Sequence, residues 1–454
     1  MAPPLQPEAD NSKCITKMLF SCLLLLILLL PNIVVSQTII NNLPGFPGDL
    51  PFKLETGYVG VGELDDVQLF YYFVESGRSP KDDPLVLWLT GGPGCSAFSG
   101  LVYEIGMYLI LFYVANIIFL DAPVGTGFSY AKSWEGYNVT DTISAAQTYQ
   151  FLRKWLMAHP TFQRNLLYIA GDSYSGIVGY VLGDPTTIPH DDYNSRIPFA
   201  HRKTLISDEL YESIKTNCNG EYINIDPTNT PCVSDLSAVT ECIEKLYAAN
   251  ILEPICSYLS PKPVAVGSKW DPSYGEDSVD LLRSAPQIPK PWCRSYNYLF
   301  IYIWANNKTV QEALGIREGS IKEWTRCNAS LSYTDDVFSV LNYHRNLIKK
   351  GYRMLIYRTN ILHSIICFLF YNRGDQDMVI PYVGTHASIK SLNLTVSDDW
   401  EPWFVDGQVA GYTMEYYYKK SRLTYTIGGG HTAPEYKPKE CFAMVDRWFA
   451  YYPL

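Results

Sequence analysis

Leu167-Tyr168-Ile169-Ala170-Gly171-Asp172-Ser173-Tyr174-Ser175-Gly176 is the stretch on which the fold turns. It opens as an apolar, β-prone run and closes as Gly-x-Ser-x-small-Gly. That is the grammar of a nucleophile elbow, a sharp turn that lifts a serine hydroxyl off the end of a strand. The turn strains the serine backbone, so its flanking residues must be small. A surface turn of Ser and Gly is the bland alternative, and a lone motif of this size stands only as a hypothesis.

Two further glycine-rich turns follow apolar runs. Leu85-Val86-Leu87-Trp88-Leu89-Thr90 reads as a buried strand and runs into Gly91-Gly92-Pro93-Gly94-Cys95-Ser96. Such a turn leaves backbone N–H groups uncovered, as an oxyanion hole requires. The absence of a following Gly-Lys-Ser/Thr argues against a phosphate loop. Near the C-terminus, Leu423-Thr424-Tyr425-Thr426-Ile427 leads into Gly428-Gly429-Gly430-His431-Thr432-Ala433-Pro434. Between them lies the acidic loop Gly374-Asp375-Gln376-Asp377-Met378. The chain order Ser, Asp, His is that of α/β-hydrolases. The expected fold is therefore an α/β-hydrolase: a mostly parallel central sheet flanked by helices, with an inserted helical cap.

With these segments and Asp121-Ala122-Pro123-Val124-Gly125-Thr126-Gly127-Phe128-Ser129-Tyr130, the chain resembles the plant-type serine carboxypeptidase family from about Leu43 to Leu454. The resemblance implies acyl transfer through a covalent intermediate, with Ser173 as nucleophile, His431 as its base and Asp377 orienting the imidazole. Asp377 is preferred to Asp375 because the family's acid lies three residues after the glycine. The backbone N–H groups of Gly92 and Tyr174 would form the oxyanion hole. Trp88, Thr90, Gly91 and Asp172 would bind substrate. In carboxypeptidases of the family, Glu usually stands at the position of Asp172 and Asn at that of Thr90, and these hold a peptide's C-terminal carboxylate with one carboxyl protonated. The Asp and Thr found here resemble instead the acyltransferase branch, which moves acyl groups from glucose esters onto plant metabolites. The implied partner is a small-molecule acyl ester or a peptide C-terminus, with no cofactor and no metal. Asp121 is expected to cap a strand-end turn. The implied disulfides are Cys95–Cys327, Cys218–Cys232 and Cys256–Cys293.

Composition sets the class and the route. Hydrophobic residues make up 47 % and charged residues 18 % of 454, enough for a substantial core. Asp and Glu outnumber Lys and Arg, 46 to 36, and no basic stripe suggests nucleic-acid binding. After Lys17, an apolar run to Leu30 and then Val34-Val35-Ser36 have the form of a secretory signal over residues 1–36, with secretion or vacuolar delivery expected and no membrane contact after cleavage. The rival, a membrane anchor over Met18–Val35, is interrupted by Pro31 and Asn32. Eleven cysteines suit an oxidising compartment. Asn138, Asn307, Asn328 and Asn393 each open an Asn-x-Ser/Thr glycosylation sequon.

One hydrolase domain is expected over residues 37–454. An antiparallel hairpin over 57–61 and 67–74 should open it, and Asp141–Ala158 should form the helix before the elbow. A cap insertion is expected over about 207–295, with a flexible Ser/Pro/Gly linker at about 267–290. Three departures from the family stand out. The chain is short after Gly106 and short after Ile177, and Arg358–Arg373 is extra. A parallel crossover takes about a dozen residues or more, so the elbow helix is not expected to form as relatives build it. Clean deletions and an insertion resemble skipped exons and a retained intron. The alternative reading is therefore a splice or gene-model variant, inactive or misfolded, that keeps the three residues of the site.

Overall fold

The computed structural model describes residues 35–105, 114–177, 181–255, 296–357 and 376–454. The strands of its main sheet are β1 (Val35–Ile40), β2 (Leu54–Val61), β3 (Val67–Val74), β4 (Leu85–Leu89), β5 (Asn116–Leu120) and β6 (Tyr130–Ala131). A short pair stands apart, β7 (Val139–Thr140) with β10 (Tyr333–Thr334). The main sheet continues with β8 (Leu167–Asp172), β9 (Val181–Gly183), β11 (Met354–Tyr357), β12 (Thr395–Val405), β13 (Gln408–Tyr418) and β14 (Ser421–Ile427). Its order is β1-β2-β3-β5-β4-β8-β9-β11-β14-β13-β12, with β6 beside β3. From β5 to β14 every neighbouring pair is parallel, and antiparallel strands close both ends. This is the α/β-hydrolase architecture expected from the sequence.

Strand alternation divides the core into two layers. Leu69, Tyr71, Phe73, Leu85, Leu87 and Ile118 face one side and pack on Phe151, Leu152 and Trp155 of the helix Asp141–Ala158. Phe70, Tyr72, Val86, Trp88 and Phe119 face the other side, toward Ala305, Trp324, Met444 and Trp448. Because both faces are buried, β3, β4 and β5 read as nearly unbroken apolar runs. The helix Asp141–Ala158 begins where the sequence places it: the Thr140 hydroxyl accepts the Ile143 N–H, and Asp141 occupies the positive N-terminal turn. The expected hairpin is β2–β3, paired from Leu54↔Val74 to Val61↔Val67.

At the elbow the chain behaves differently from the family pattern. Ser173–Ile177 forms a single short 3₁₀ helix, and β9 then pairs parallel to β8 at Ala170↔Val181, Gly171↔Leu182 and Asp172↔Gly183. Strand pairing therefore survives a link shorter than a normal crossover. The reason is length: β9 has three residues, so the chain returns only about 10 Å along the strand. The cost appears on the face of β8. Leu167 is 43 % exposed although β8 is central. An open, mainly apolar groove of about 810 Å³, lined by Ala145, Leu167, Ile169, Val181 and Leu347 among others, lies over it.

The helix Arg196–Arg202 packs with the helices of the expected cap. Ile197 and Ala200, on the helix Arg196–Arg202, share a small core with Ile214 of the helix Asp208–Asn217, its C-cap Cys218, and Cys232 and Val239 of the helix Thr230–Ile243. The expected linker at 267–290, Cys256, Cys293, the shortened segment after Gly106, the insertion 358–373 and most of the expected signal lie outside the described residues; β1 starts at Val35. Among the described residues no helix is long and apolar enough to cross a membrane.

Candidate active site

Three strand ends meet at the site, and two close approaches dictate glycine. A Cβ on Gly171 would come within 2.3 Å of the Leu89 carbonyl oxygen, and one on Gly91 within 2.8 Å of the Tyr174 nitrogen. These contacts bring the turn after β4 directly against the turn after β8. Ser173 holds φ 54°, the left-handed backbone that an elbow serine adopts at a cost of order 1–3 kcal/mol. Its carbonyl is tied down by the Thr186 N–H at 3.0 Å.

The structure brings Ser173, His431 and Asp377 together. Ser173 Oγ lies 2.7 Å from His431 Nε2, and His431 Nδ1 lies 3.0 Å from Asp377 Oδ2. With its proton on Nδ1, the imidazole donates to Asp377 and leaves Nε2 free to accept from the serine hydroxyl. Asp377 is fully buried, and its Oδ1 accepts the N–H groups of Val379 at 2.7 Å and Ile380 at 3.2 Å. The acid and base loops are also clamped from the cap. Met378 N–H donates to the Ala248 carbonyl at 2.8 Å, and His431 N–H to the Ala249 carbonyl at 2.7 Å. Nothing in the sequence marks Ala248 and Ala249 for this role, because only their carbonyls act.

Around the serine, Gly91 packs against Ser173 and the Tyr174 nitrogen, and the next residue, Gly92, is exposed with φ 122°. Trp88 Nε1 donates to Thr90 Oγ1 at 3.3 Å, which engages the threonine hydroxyl within its own strand end. Asp172 Oδ1 accepts the Gly91 N–H at 3.3 Å. Burial pushes the Asp172 carboxyl up, with the neighbouring His431 pulling it back. Glu104, which sequence reasoning missed, is also buried and raised, first by burial and then by Asp172 and Glu435. Arg326 opposes that rise, its guanidinium lying 4.2 Å from the Tyr298 ring centroid. Glu435 accepts from the Tyr298 and Thr432 hydroxyls. The only signal for Glu104 is one carboxylate inside Leu101-Val102-Tyr103-Glu104-Ile105.

The remaining expectations fall into place around this centre. Asp121 is fully buried and accepts from Ser96 Oγ, Ala97 N–H and Phe128 N–H, as a clip for the turn after β5. Cys95–Cys327 and Cys218–Cys232 are bonded. Asn138, Asn307 and Asn393 are exposed, whereas Asn328 is half-buried and its Nδ2 donates to the Gly125 carbonyl at 3.0 Å. Among the described residues no group of three or more His, Cys, Asp or Glu side chains is arranged to hold a metal ion.

Comparison with known proteins agrees with this fold and order of motifs. The family model for serine carboxypeptidases matches residues 44–179 and 177–451, and it breaks where the elbow segment is short. Serine carboxypeptidase-like 1 from Arabidopsis thaliana is 42 % identical over 486 aligned positions, covering 98 % of this chain and all of the relative. Serine carboxypeptidase-like 2 from the same plant is 41 % identical with the same coverage. An aligned span of 486 in a chain of 454 means that both relatives carry residues this chain lacks. The crystal structure of Kex1Δp, a prohormone-processing carboxypeptidase from Saccharomyces cerevisiae, superposes with a TM-score of 0.61 at 17 % identity, over 88 % of this chain and 91 % of that one, a likeness of fold. With a match from residue 44 to 451 and near-complete relatives at about two-fifths identity, the chain belongs to the serine carboxypeptidase family.

Proposed function

We propose that this chain is a serine acyl-transfer enzyme whose acyl-enzyme on Ser173 is resolved by an alcohol. The observation that carries the reading is the hydrogen-bonded series Ser173 Oγ, His431 Nε2, His431 Nδ1, Asp377 Oδ2. His431 takes the serine proton as Oγ attacks the acyl carbonyl, and the charge on the carbonyl oxygen is met by the N–H groups of Gly92 and Tyr174. Each such donor contributes about 3 kcal/mol to the transition state. His431 then protonates the leaving alcohol, an acceptor alcohol takes its place, and the same steps run in reverse. Water in place of the acceptor gives hydrolysis.

Thr90 and Asp172 favour the transferase. A threonine engaged with Trp88 offers no side-chain amide to a peptide carboxylate. A carboxypeptidase is the second reading, favoured by the buried Glu104 beside Asp172, since two carboxyls that retain a proton can accept a carboxylate. Passage through the secretory route fits the bonded cysteines and the exposed sequons. The test is incubation with an aromatic glucose ester plus an alcohol, and separately with a blocked dipeptide, using Ser173→Ala as control. The proposal expects Ser173-dependent ester product exceeding hydrolysis. Ser173-dependent dipeptide cleavage at acid pH without ester product selects the carboxypeptidase. Turnover that persists in Ser173→Ala, or none by folded protein, contradicts both.

A further inference from the structure

The residue after the serine carries a second anchor. The Tyr174 phenol lies 2.8 Å from Asp141 Oδ1 and 2.8 Å from Asp335 Oδ1. Asp141 is buried, and its Oδ1 also accepts the Tyr333 phenol at 2.6 Å, while its Oδ2 accepts the N–H groups of Asp336 at 2.8 Å and Val337 at 2.9 Å. One carboxylate thus joins the first turn of the helix Asp141–Ala158, strand β10, the loop that follows it, and the elbow. The Tyr174 and Tyr333 rings meet edge to face at 6.1 Å. In an ordinary elbow, a long helix starting at the serine fixes the peptide that supplies the oxyanion N–H. Here that helix is the single stretch Ser173–Ile177.

We propose that the Tyr174 phenol, held by Asp141 and Asp335, is a positioning group that fixes the Tyr174 backbone N–H for the oxyanion. This assignment rests on the Ser173 acyl-enzyme reading. Side chain and backbone donor belong to one residue, so a phenol whose single proton is shared between the facing Asp141 and Asp335 oxygens restricts rotation of the peptide between Ser173 and Tyr174. Losing the pin leaves the nucleophile and its base in place but lets the donor wander, which slows the chemical step without weakening the initial encounter.

The test is the rate of Ser173 phosphonylation by a fluorophosphonate probe, measured across probe concentrations on the full chain. Tyr174→Phe keeps the ring and removes only the hydroxyl. The expected result is a fall of roughly tenfold or more in the maximal labelling rate, with the half-saturating probe concentration unchanged. If Tyr174→Phe does not accumulate as folded protein, Asp335→Ala gives the reading at smaller scale, because Asp335 is exposed and lies outside helix and strand. It should lower the maximal rate a few-fold, again without a change in half-saturation. A maximal rate within twofold of the parent, or a loss confined to half-saturation, overturns the assignment alone. A parent chain that is folded but never labelled overturns the functional reading, and this assignment with it.

Discussion

Ser173 and His431 are legible because each follows an apolar run at a glycine-bounded turn, whereas Asp377, which stands ahead of the run Met378-Val379-Ile380, is singled out over Asp375 by the family resemblance. What surrounds them was less so. Glu104 is one letter in an apolar segment, and the clamp from Ala248 and Ala249 uses carbonyls that every residue owns. The buried carboxyl of Asp172 makes a prediction about pH at this scale. Burial raises it, so the folded state binds its proton more tightly than the unfolded chain does. The stability it contributes is therefore present below about pH 4 and is lost as pH rises through the raised value. Asp172→Asn has no charge to bury. Relative to the parent, its melting temperature should climb by about 1–3 °C between pH 4 and pH 7. A difference that is flat, or that shrinks, would mean that His431 compensates the buried charge fully.

At the level of elements, the strands flanked by glycine turns and the helix Asp141–Ala158 followed from pattern, and the edge hairpin β12–β13 did not. Thr395–Val405 is exposed at nearly every position, so it lacks the alternation that marks a strand. The available signal was the turn Asp406-Gly407, with φ 49° and 74°, the Asp-Gly pair of a tight hairpin. The elbow is where local pattern and family expectation part. The motif is intact, and the helix that should follow it is reduced to a short 3₁₀ turn, which uncovers β8. A polar residue should then be tolerated at the uncovered end. Leu167→Glu is expected to shift stability by less than about 1 kcal/mol and to lower fluorescence of an apolar dye bound to the folded protein. A loss of about 3 kcal/mol or more, the range for a buried leucine, would show that the groove is filled in solution.

For the whole molecule, the sheet order, the two-layered core and the meeting of three turns from distant parts of the chain account for the geometry of the site. Cys95–Cys327 ties the turn after β4 to a segment 232 residues away, beside Arg326. The family could be read from the sequence because its signatures lie at strand ends, which the fold must bring together. The consequences of the shortened elbow could not, because they depend on how little of β9 must return alongside β8. The central claim is that this elbow still presents an activated serine. Intact-mass and peptide-mapping spectrometry after fluorophosphonate treatment tests it most directly. One phosphonyl adduct on Ser173, abolished in His431→Ala, is the predicted result; folded protein with no adduct, or with one elsewhere, would contradict it.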